Sequence, residues 1–373
     1  MAGKRYDPTV VEQFFVLLRS GLYDKRIDSF PELTEGEWES ILSIAKEQTV
    51  TGMIYSGVNN LPENYKVPES ISLRLMLESS RIEKRSYKVL SVCKELFSLL
   101  RDNGLHPIVM KGPSVAKFYP KPSLRESGDL DLYIRKEEFE KAVTILGEAS
   151  FTLPDGSLHY NWKGVDIDLH RHYFDLHVSE DKLPKVPSPY ATLVLLSSHI
   201  LKHCMGPGIG LRQLCDMAVA YRSLCDEKVF QNENMGKSGP VDKEVLLSWY
   251  EKAGILKWNA LLSSFLKENL GGDGYPFNDE NGDGSGNGSR CTFDGKALPS
   301  PSPLLEIVLE GGDFGHHAVE REAALGRGPL RRKINTAWMY LKKVPFSMEY
   351  APDELMEELG ELAFGNLKKF VKK

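Results

Sequence analysis

The 373-residue chain is 41% hydrophobic and 27% charged, which is ordinary for a globular protein and enough for two or three domains. Its formal net charge of -5 provides no basic field, which makes nucleic acid an unlikely partner without excluding it. Five scattered cysteines indicate neither zinc nor disulfides, and without a signal peptide or a long uncharged apolar run we expect a cytoplasmic protein that does not contact a membrane.

The N-terminal part of the chain, which we place at residues 1–85, is predicted to be helical. Thr34–Glu37 has the pattern of a capping box before a helix, and a long amphipathic run extends from Ile71 to Asn103. Arg81 and Arg85 lie four residues apart and therefore on one face of that helix. We interpret this face as solvent-exposed, and contact with a triphosphate is the alternative.

A short apolar strand and a turn begin the region that we predict to be an α/β core, residues 86–185. Ile108–Met110 has the character of a buried strand. Lys111 and Gly112 follow it as a turn. The proline after them is at home in the first turn of a helix, so we predict a short helix that includes Ser114.

Two aspartates lie on the next predicted strand. Arg125 and Ser127 lead into Gly128–Ile134, in which Asp129 and Asp131 occupy alternate positions and therefore point to the same face. Two carboxylates on one face repel each other. A shared divalent cation is the simplest means of keeping both of them charged, so this strand predicts a metal site.

A later strand supplies further carboxylates. Val165–His170 alternates strictly, with Asp166, Asp168 and His170 on one face and aliphatic side chains on the other. An exposed edge strand could produce this pattern. The alternative is that this strand adds a third carboxylate to the metal site predicted on the earlier strand. Asp166 and Asp168 lie about 6.5–7 Å apart along the strand, so both cannot easily serve one metal.

The rest of the chain, residues 186–373, is predicted to be a C-terminal helical region with a flexible polar loop at about 271–300. Inside the loop, Asp279–Gly284 matches the first half of a calcium loop, but the glutamate that would complete it is missing, so calcium is disfavoured. His203 and Arg212 are possible substrate contacts on the predicted helices of this region.

The order of strand, Lys-Gly turn, helix, arginine and Gly-Asp-x-Asp strand resembles the nucleotidyltransferase fold of the DNA polymerase β-like superfamily. It looks closest to an uncharacterised bacterial nucleotidyltransferase family, and abortive-infection toxin nucleotidyltransferases have a similar pattern. Many superfamily members carry Gly-Ser in the first turn, where this chain has Lys111–Ser114. The resemblance implies an α+β fold, with a small mixed-sheet core flanked by N-terminal and C-terminal helical regions.

The resemblance also implies an activity, the metal-dependent transfer of an NMP group from an NTP, such as ATP, to an acceptor hydroxyl. Asp129 and Asp131 would hold Mg²⁺ or Mn²⁺ against the phosphates, and a third carboxylate would share a second metal that activates the acceptor. The family's motif has this carboxylate directly before Leu-His, which selects Asp168. His170 would orient that carboxylate or contact the substrate.

The same resemblance assigns the nucleotide contacts. Lys111 would neutralise the β- and γ-phosphates together with backbone amides of the turn that contains Gly112 and Ser114. Arg125 and Ser127 would add further contacts, with Arg125 able to bind a phosphate in a bidentate manner. The alternative for Arg125 is a structural ion pair with one of the aspartates.

The sequence does not name the acceptor, and three possibilities stay open. A small molecule or a sugar is favoured, because the acidic chain argues against a large RNA substrate. A toxin-like enzyme that modifies tRNA or protein is the first alternative. A catalytically inactive nucleotide-binding protein with the same fold is the second, and it would bind nucleotide without a metal and without turnover.

Overall fold

The structure is a computed structural model that describes residues 6–153, 156–206, 208–225, 240–278, 292–293, 296–311, 342–357 and 359–360. The chain divides into two compact units. The first, which we call the sheet unit, contains Lys4–Phe174 and Cys215–Ala220. The second, the helical unit, contains Asp175–Leu214 and Tyr221–Lys373.

The sheet unit begins with the helices α1 (Pro8–Tyr23), α2 (Glu35–Glu47), α3 (Thr51–Val58) and α4 (Glu69–Asp102). The predicted capping box is confirmed, because the Thr34 side chain accepts a hydrogen bond from the Glu37 backbone N–H while the Glu37 carboxylate accepts from Thr34. The predicted domain boundary at residue 85 falls inside α4, which runs without interruption for 34 residues.

The helices α1 and α3 approach each other backbone to backbone, which only glycine allows at the point of contact. A Cβ atom on Gly57 would lie 2.0 Å from the backbone oxygen of Leu17, and one on Gly21 would lie 1.9 Å from the oxygen of Met53. Real Cβ atoms essentially never come within 3.0 Å of such an atom. Gly21 and Gly57 are therefore required for this packing.

Within the described part of the chain, five strands form one mixed sheet with the order β1-β2-β5-β4-β3. The strands β2 and β5 are parallel, whereas the other neighbours are antiparallel. The predicted α+β fold is confirmed, and the predicted strands around Ile108 and Leu130 are neighbours in this sheet. The strands are β1 (Ile108–Val109), β2 (Leu130–Tyr133), β3 (Phe151–Thr152), β4 (Leu158–Trp162) and β5 (Val165–His170).

One face of the sheet is buried in an apolar core against α4 and the helix α6 (Phe139–Leu146), while α5 (Pro113–Ala116) follows β1. The aliphatic face of β5 lies in this core, so its polar face, which carries Asp168, is on the other side. A shift of one residue in register would bury the carboxylates and expose the aliphatic side chains. The apolar alternation therefore fixes where the acidic groups point. The core residues include Val89, Val92, Leu96, Leu130, Leu132, Phe139, Val165, Ile167 and Leu169.

The helical unit is built around a buried Trp258, whose indole N–H donates to Ser197. Residues 342–350 and 352–357 are also helical. Among the described residues, none of the helices has the length and apolar character needed to cross a bilayer. The main helices are α7 (Pro189–Met205), α8 (Leu211–Cys225), α9 (Lys243–Lys252), α10 (Leu256–Leu270) and α11 (Ser302–Gly311), and a short hairpin joins Thr292–Phe293 to Lys296–Ala297.

The middle of α8, Cys215–Ala220, is grouped with the sheet unit although the rest of the helix belongs to the helical unit.

The predicted flexible loop at 271–300 is described only in part, and the calcium-like stretch Asp279–Gly284 lies outside the described residues.

Candidate active site

The parallel pairing of β2 and β5 places Asp131 directly opposite Asp168. In the described chain, the ligand atoms of Asp131, Asp168 and His170 all lie within 4.8 Å of one another. The two carboxylates thus come from neighbouring strands and point to the same side of the sheet, as the alternation predicts.

The Asp131 carboxylate is mostly buried and has two nitrogen neighbours on one oxygen. Lys111 Nζ lies 3.1 Å from Asp131 Oδ1, and His170 Nε2 lies 2.9 Å from the same atom. The other ring nitrogen of His170 lies 2.8 Å from Ser157 Oγ. Because these side chains are largely removed from water, their electrostatic contacts are stronger than they would be at the surface.

The Asp168 carboxylate is held by its cross-strand neighbour. His159 Nδ1 lies 2.7 Å from Asp168 Oδ1, and the exposed ring of Phe151 stacks on His159 with a centroid distance of 4.3 Å. Burial raises the pKa of Asp168; the hydrogen bond from His159 lowers it, and the negative charges of Asp129 and Asp131 raise it further. The net effect is a raised pKa, with burial as its largest cause.

His170 has a different partner from the one that the sequence suggested. We expected it to orient Asp168, but its carboxylate contact is with Asp131, and His159 is the imidazole on Asp168. A substrate contact from His170 stays a prediction. The reason is the pairing of the strands: His159 is the antiparallel partner of Asp168, whereas His170 lies two residues beyond it.

Asp129 and Asp166 lie on the margin of this cluster. Asp129 is exposed and directly precedes β2, and its charge acts on both Asp168 and Arg125. Asp166 is half-exposed and accepts a 2.7 Å hydrogen bond from Asn161. The geometry therefore favours Asp168 over Asp166 as the partner of Asp131, while a metal contact from Asp129 stays a prediction.

The guanidinium of Arg125 is held by a carboxylate on α8, which favours a structural ion pair over the predicted nucleotide contact. Its Nε and Nη2 atoms donate to the two carboxylate oxygens of Asp216 at 2.7 and 2.6 Å. The Tyr119 hydroxyl donates to the same carboxylate at 2.7 Å, and all three side chains are buried. Burial alone would lower the pKa of Arg125, but the Asp216 charge raises it overall. The arginine therefore has the structural role that was its alternative, with a partner on α8.

The other residues that the sequence assigned to the nucleotide have backbone constraints or hydrogen-bond partners of their own. Gly112 has φ of +60°, a conformation that favours glycine, and the Ser114 hydroxyl donates to the Met110 carbonyl at 3.1 Å. Ser127 Oγ lies 3.3 Å from Ser86 Oγ. The helix α5 has only four residues, so its dipole is small. Nucleotide contacts from Gly112, Ser114 and Ser127 stay predictions.

His203 and Arg212 belong to the helical unit. The His203 ring packs edge-on against the ring of His199, with centroids 4.4 Å apart, and His199 Nδ1 lies 3.0 Å from Asp175 Oδ2. Arg212 is the second residue of α8. A substrate contact from either residue stays a prediction.

Sequence reasoning missed the groups that hold the site together. Arg85 was interpreted as solvent-exposed or as a phosphate contact, but it donates to the carbonyl oxygens of Gly164 and Gly128 and so fixes the turn before Asp129. No other acidic residue or histidine lies on the same face of β4 as His159. The sequence therefore contained no pattern that indicated a role for this residue. Asp216 lies 91 residues from Arg125, and no local signal connects them.

The residues present fit a divalent cation. Carboxylate oxygens and an imidazole nitrogen are metal ligands, and here they lie within 4.8 Å of one another. Lys111 adds a positive charge at the same edge, which suits an anionic ligand of the metal. The donor set therefore fits a divalent cation with an anionic ligand beside it.

The comparisons with known proteins agree with this chemistry. The family model described as "Uncharacterised nucleotidyltransferase" matches residues 34–233, which is more than half of the chain and includes Lys111, Asp131, Asp168 and Asp216. No curated protein and no solved structure matches the chain. The match and the paired carboxylates lead to one conclusion: the chain belongs to this family of uncharacterised nucleotidyltransferases.

Proposed function

We propose that the protein transfers an NMP group from an NTP to an acceptor hydroxyl in a reaction that depends on a divalent metal. The observation that carries this proposal is the placement of Asp131 beside Asp168 on adjacent parallel strands, with Lys111 on the Asp131 carboxylate. A divalent cation bound there would neutralise phosphate charge and lower the pKa of the acceptor hydroxyl. Magnesium and manganese are the candidates.

In this proposal the carboxylates bind the cation, and a neighbouring histidine positions one of them. Asp131 and Asp168 hold the cation, with Asp129 as an additional carboxylate from the exposed side. His159 holds the Asp168 carboxylate in place through its 2.7 Å contact. Both carboxylates are thereby oriented before a ligand arrives, which reduces the reorganisation needed during the reaction.

Lys111 connects the metal site to the nucleotide. Its ammonium group now balances the charge of Asp131 at 3.1 Å. Once a cation takes over that balance, the ammonium group can turn to the β- and γ-phosphates and stabilise the pyrophosphate as it leaves. Lys111 therefore alternates between two anionic partners that lie at the same edge of the site.

The acceptor is a small molecule or a sugar in this proposal. The net charge of -5 provides no extended positive surface for a long nucleic acid, and this favours a compact acceptor over tRNA. The Lys111 contact also supports a second candidate function, nucleotide binding without turnover, because the ammonium group already neutralises the carboxylate that a metal would bind.

Incubation with each α-labelled NTP and either Mg²⁺ or Mn²⁺ tests the proposal, with pyrophosphate release and labelled product as readouts. We expect release with one or more NTPs in the presence of a sugar or small-molecule acceptor, and none with Asp131→Asn. Asp166→Asn is the matched control, because it makes the same change at a half-exposed residue of β5, the strand that carries Asp168. Nucleotide binding without release, under every combination of metal and acceptor, would support the second candidate.

A further inference from the structure

A ring nitrogen of His170 lies close enough to the two carboxylates to bind the same cation directly. This nitrogen and oxygens of Asp131 and Asp168 form a set of atoms that lie within 4.8 Å of one another. Nε2 is the nitrogen that contacts Asp131, at 2.9 Å. An octahedral cation at about 2.1 Å from its ligands separates adjacent ligands by about 3 Å and opposite ligands by about 4.2 Å. The set is therefore within small adjustments of a coordination sphere.

The second ring nitrogen of His170 has a polar partner, as the second nitrogen of a metal-bound histidine usually does. Nδ1 lies 2.8 Å from the hydroxyl of the buried Ser157. Ligating histidines almost always have their other nitrogen held by a neighbouring polar group, which fixes the orientation of the ring. A serine hydroxyl can donate or accept, so it satisfies Nδ1 in either tautomer of the neutral ring.

The tautomer matters because Nε2 currently faces a carboxylate. At 2.9 Å from Asp131 Oδ1, Nε2 carries a proton and donates it. Metal coordination requires the lone pair of Nε2, so the proton moves to Nδ1 and Ser157 becomes the acceptor.

We propose that His170 Nε2 binds the divalent cation directly, beside Asp131 and Asp168, and that the site therefore prefers a first-row transition cation to Mg²⁺. Imidazole nitrogen is a ligand for transition metals, whereas Mg²⁺ is bound by oxygen atoms and retains several waters. The inference rests on the proposed function only in assuming that a cation binds here. It specifies the class of cofactor and adds a ligand to the two carboxylates.

A competing explanation is that His170 only orients Asp131. In that case Nε2 keeps its proton, stays on the carboxylate and never enters the coordination sphere. The two explanations differ in a direct observable, which is whether a histidine nitrogen is bound to the metal. Activity alone does not separate them, since both predict a less active His170 variant.

The test uses the full chain with Mn²⁺ alone and no nucleotide. Titration followed by electron paramagnetic resonance gives the Mn²⁺ affinity, and pulsed measurements detect directly bound nitrogen. We expect a nitrogen coupling that changes when histidine is labelled with ¹⁵N. His170→Asn should lose the coupling and weaken Mn²⁺ binding by roughly tenfold or more, with a smaller effect on Mg²⁺ binding. Ser157→Ala should keep the coupling and weaken binding by about 10- to 100-fold.

His159→Asn is the near control, because it removes the imidazole on Asp168 and should leave the nitrogen coupling in place. His106→Asn is a second control, since His106 is paired with Glu138 and not with a carboxylate of the site. A wild-type spectrum without bound nitrogen, no Mn²⁺ binding at all, or a coupling that survives in His170→Asn would each overturn the inference. If His170→Asn does not fold, the ¹⁵N-labelled wild type, His159→Asn and Ser157→Ala decide the question.

The experiment is independent of catalysis. A nitrogen-bound Mn²⁺ in a protein that releases no pyrophosphate with any NTP would contradict the proposed function and leave the ligand assignment intact. Pyrophosphate release by a protein whose Mn²⁺ has only oxygen ligands would contradict the assignment and leave the function intact.

Discussion

Arg125 and Asp216 form a bidentate ion pair inside the sheet unit, although 91 residues separate them in the chain. The Tyr119 hydroxyl donates to the same carboxylate. Arg125 lies shortly before the Gly-Asp-x-Asp stretch, so the pair anchors the segment that leads to Asp129 and Asp131. Its strength can be measured directly.

Asp216→Asn should strongly destabilise the protein. The substitution leaves the Arg125 guanidinium buried without its compensating charge, which costs about 3–5 kcal/mol in the free energy of unfolding. Urea denaturation measures this loss. The double variant Arg125→Met/Asp216→Leu removes both charges and should be closer in stability to the wild type, because a buried pair replaced by apolar groups is often nearly neutral. A single variant as stable as the wild type would show that the pair contributes little.

Lys111→Ala should have opposite effects on the two ligands of the site. Loss of a charge-assisted phosphate contact, about 1.5–3 kcal/mol, should reduce nucleotide affinity by about tenfold or more. Loss of the competing ammonium group on Asp131 should strengthen metal binding in the absence of nucleotide. Isothermal titration calorimetry measures both affinities, and unchanged nucleotide binding by a folded variant would contradict the phosphate role.

Asp168→Asn and Asp166→Asn should behave differently although both lie on one face of β5. We expect Asp168→Asn to abolish transfer and largely to retain nucleotide–metal binding through Asp129 and Asp131, because the proposed function has this carboxylate share the cation that activates the acceptor. Asp166→Asn should retain a substantial part of the activity, since its carboxylate is half-exposed and bound to Asn161. Pyrophosphate release together with nucleotide titration separates the two results. The reverse pattern in folded variants would mean that Asp166 is the third carboxylate.

Gly57→Ala should destabilise the sheet unit, because the added methyl group would lie 2.0 Å from the Leu17 carbonyl oxygen. Overpacking of this kind costs about 1–3 kcal/mol. Gly36→Ala is the matched control: it lies in α2 with no atom within 4 Å of the added group, and it should be neutral or slightly stabilising. Thermal unfolding of the two variants measures the difference, and equal melting temperatures would contradict the close packing of α1 and α3.

The strand alternation and the capping box were readable from the sequence because each depends on a few neighbouring residues. The range predicted for β5 coincides with the strand, and its aliphatic face lies in the core as expected. The parallel register that joins Asp131 to Asp168 was not readable, since it depends on packing between distant segments. For the same reason, the contacts of Asp216 with Arg125 and of His159 with Asp168 could not be predicted from the sequence.

The separation of these partners along the chain has a consequence for biosynthesis. During translation, β2 is synthesised before β5, and Asp216 follows later still. Pairing between distant strands is slow because the chain entropy of closing the loop must be overcome first. A nascent chain therefore lacks the completed site until α8 has emerged, and the chemistry of the enzyme becomes available only to a nearly complete sheet unit.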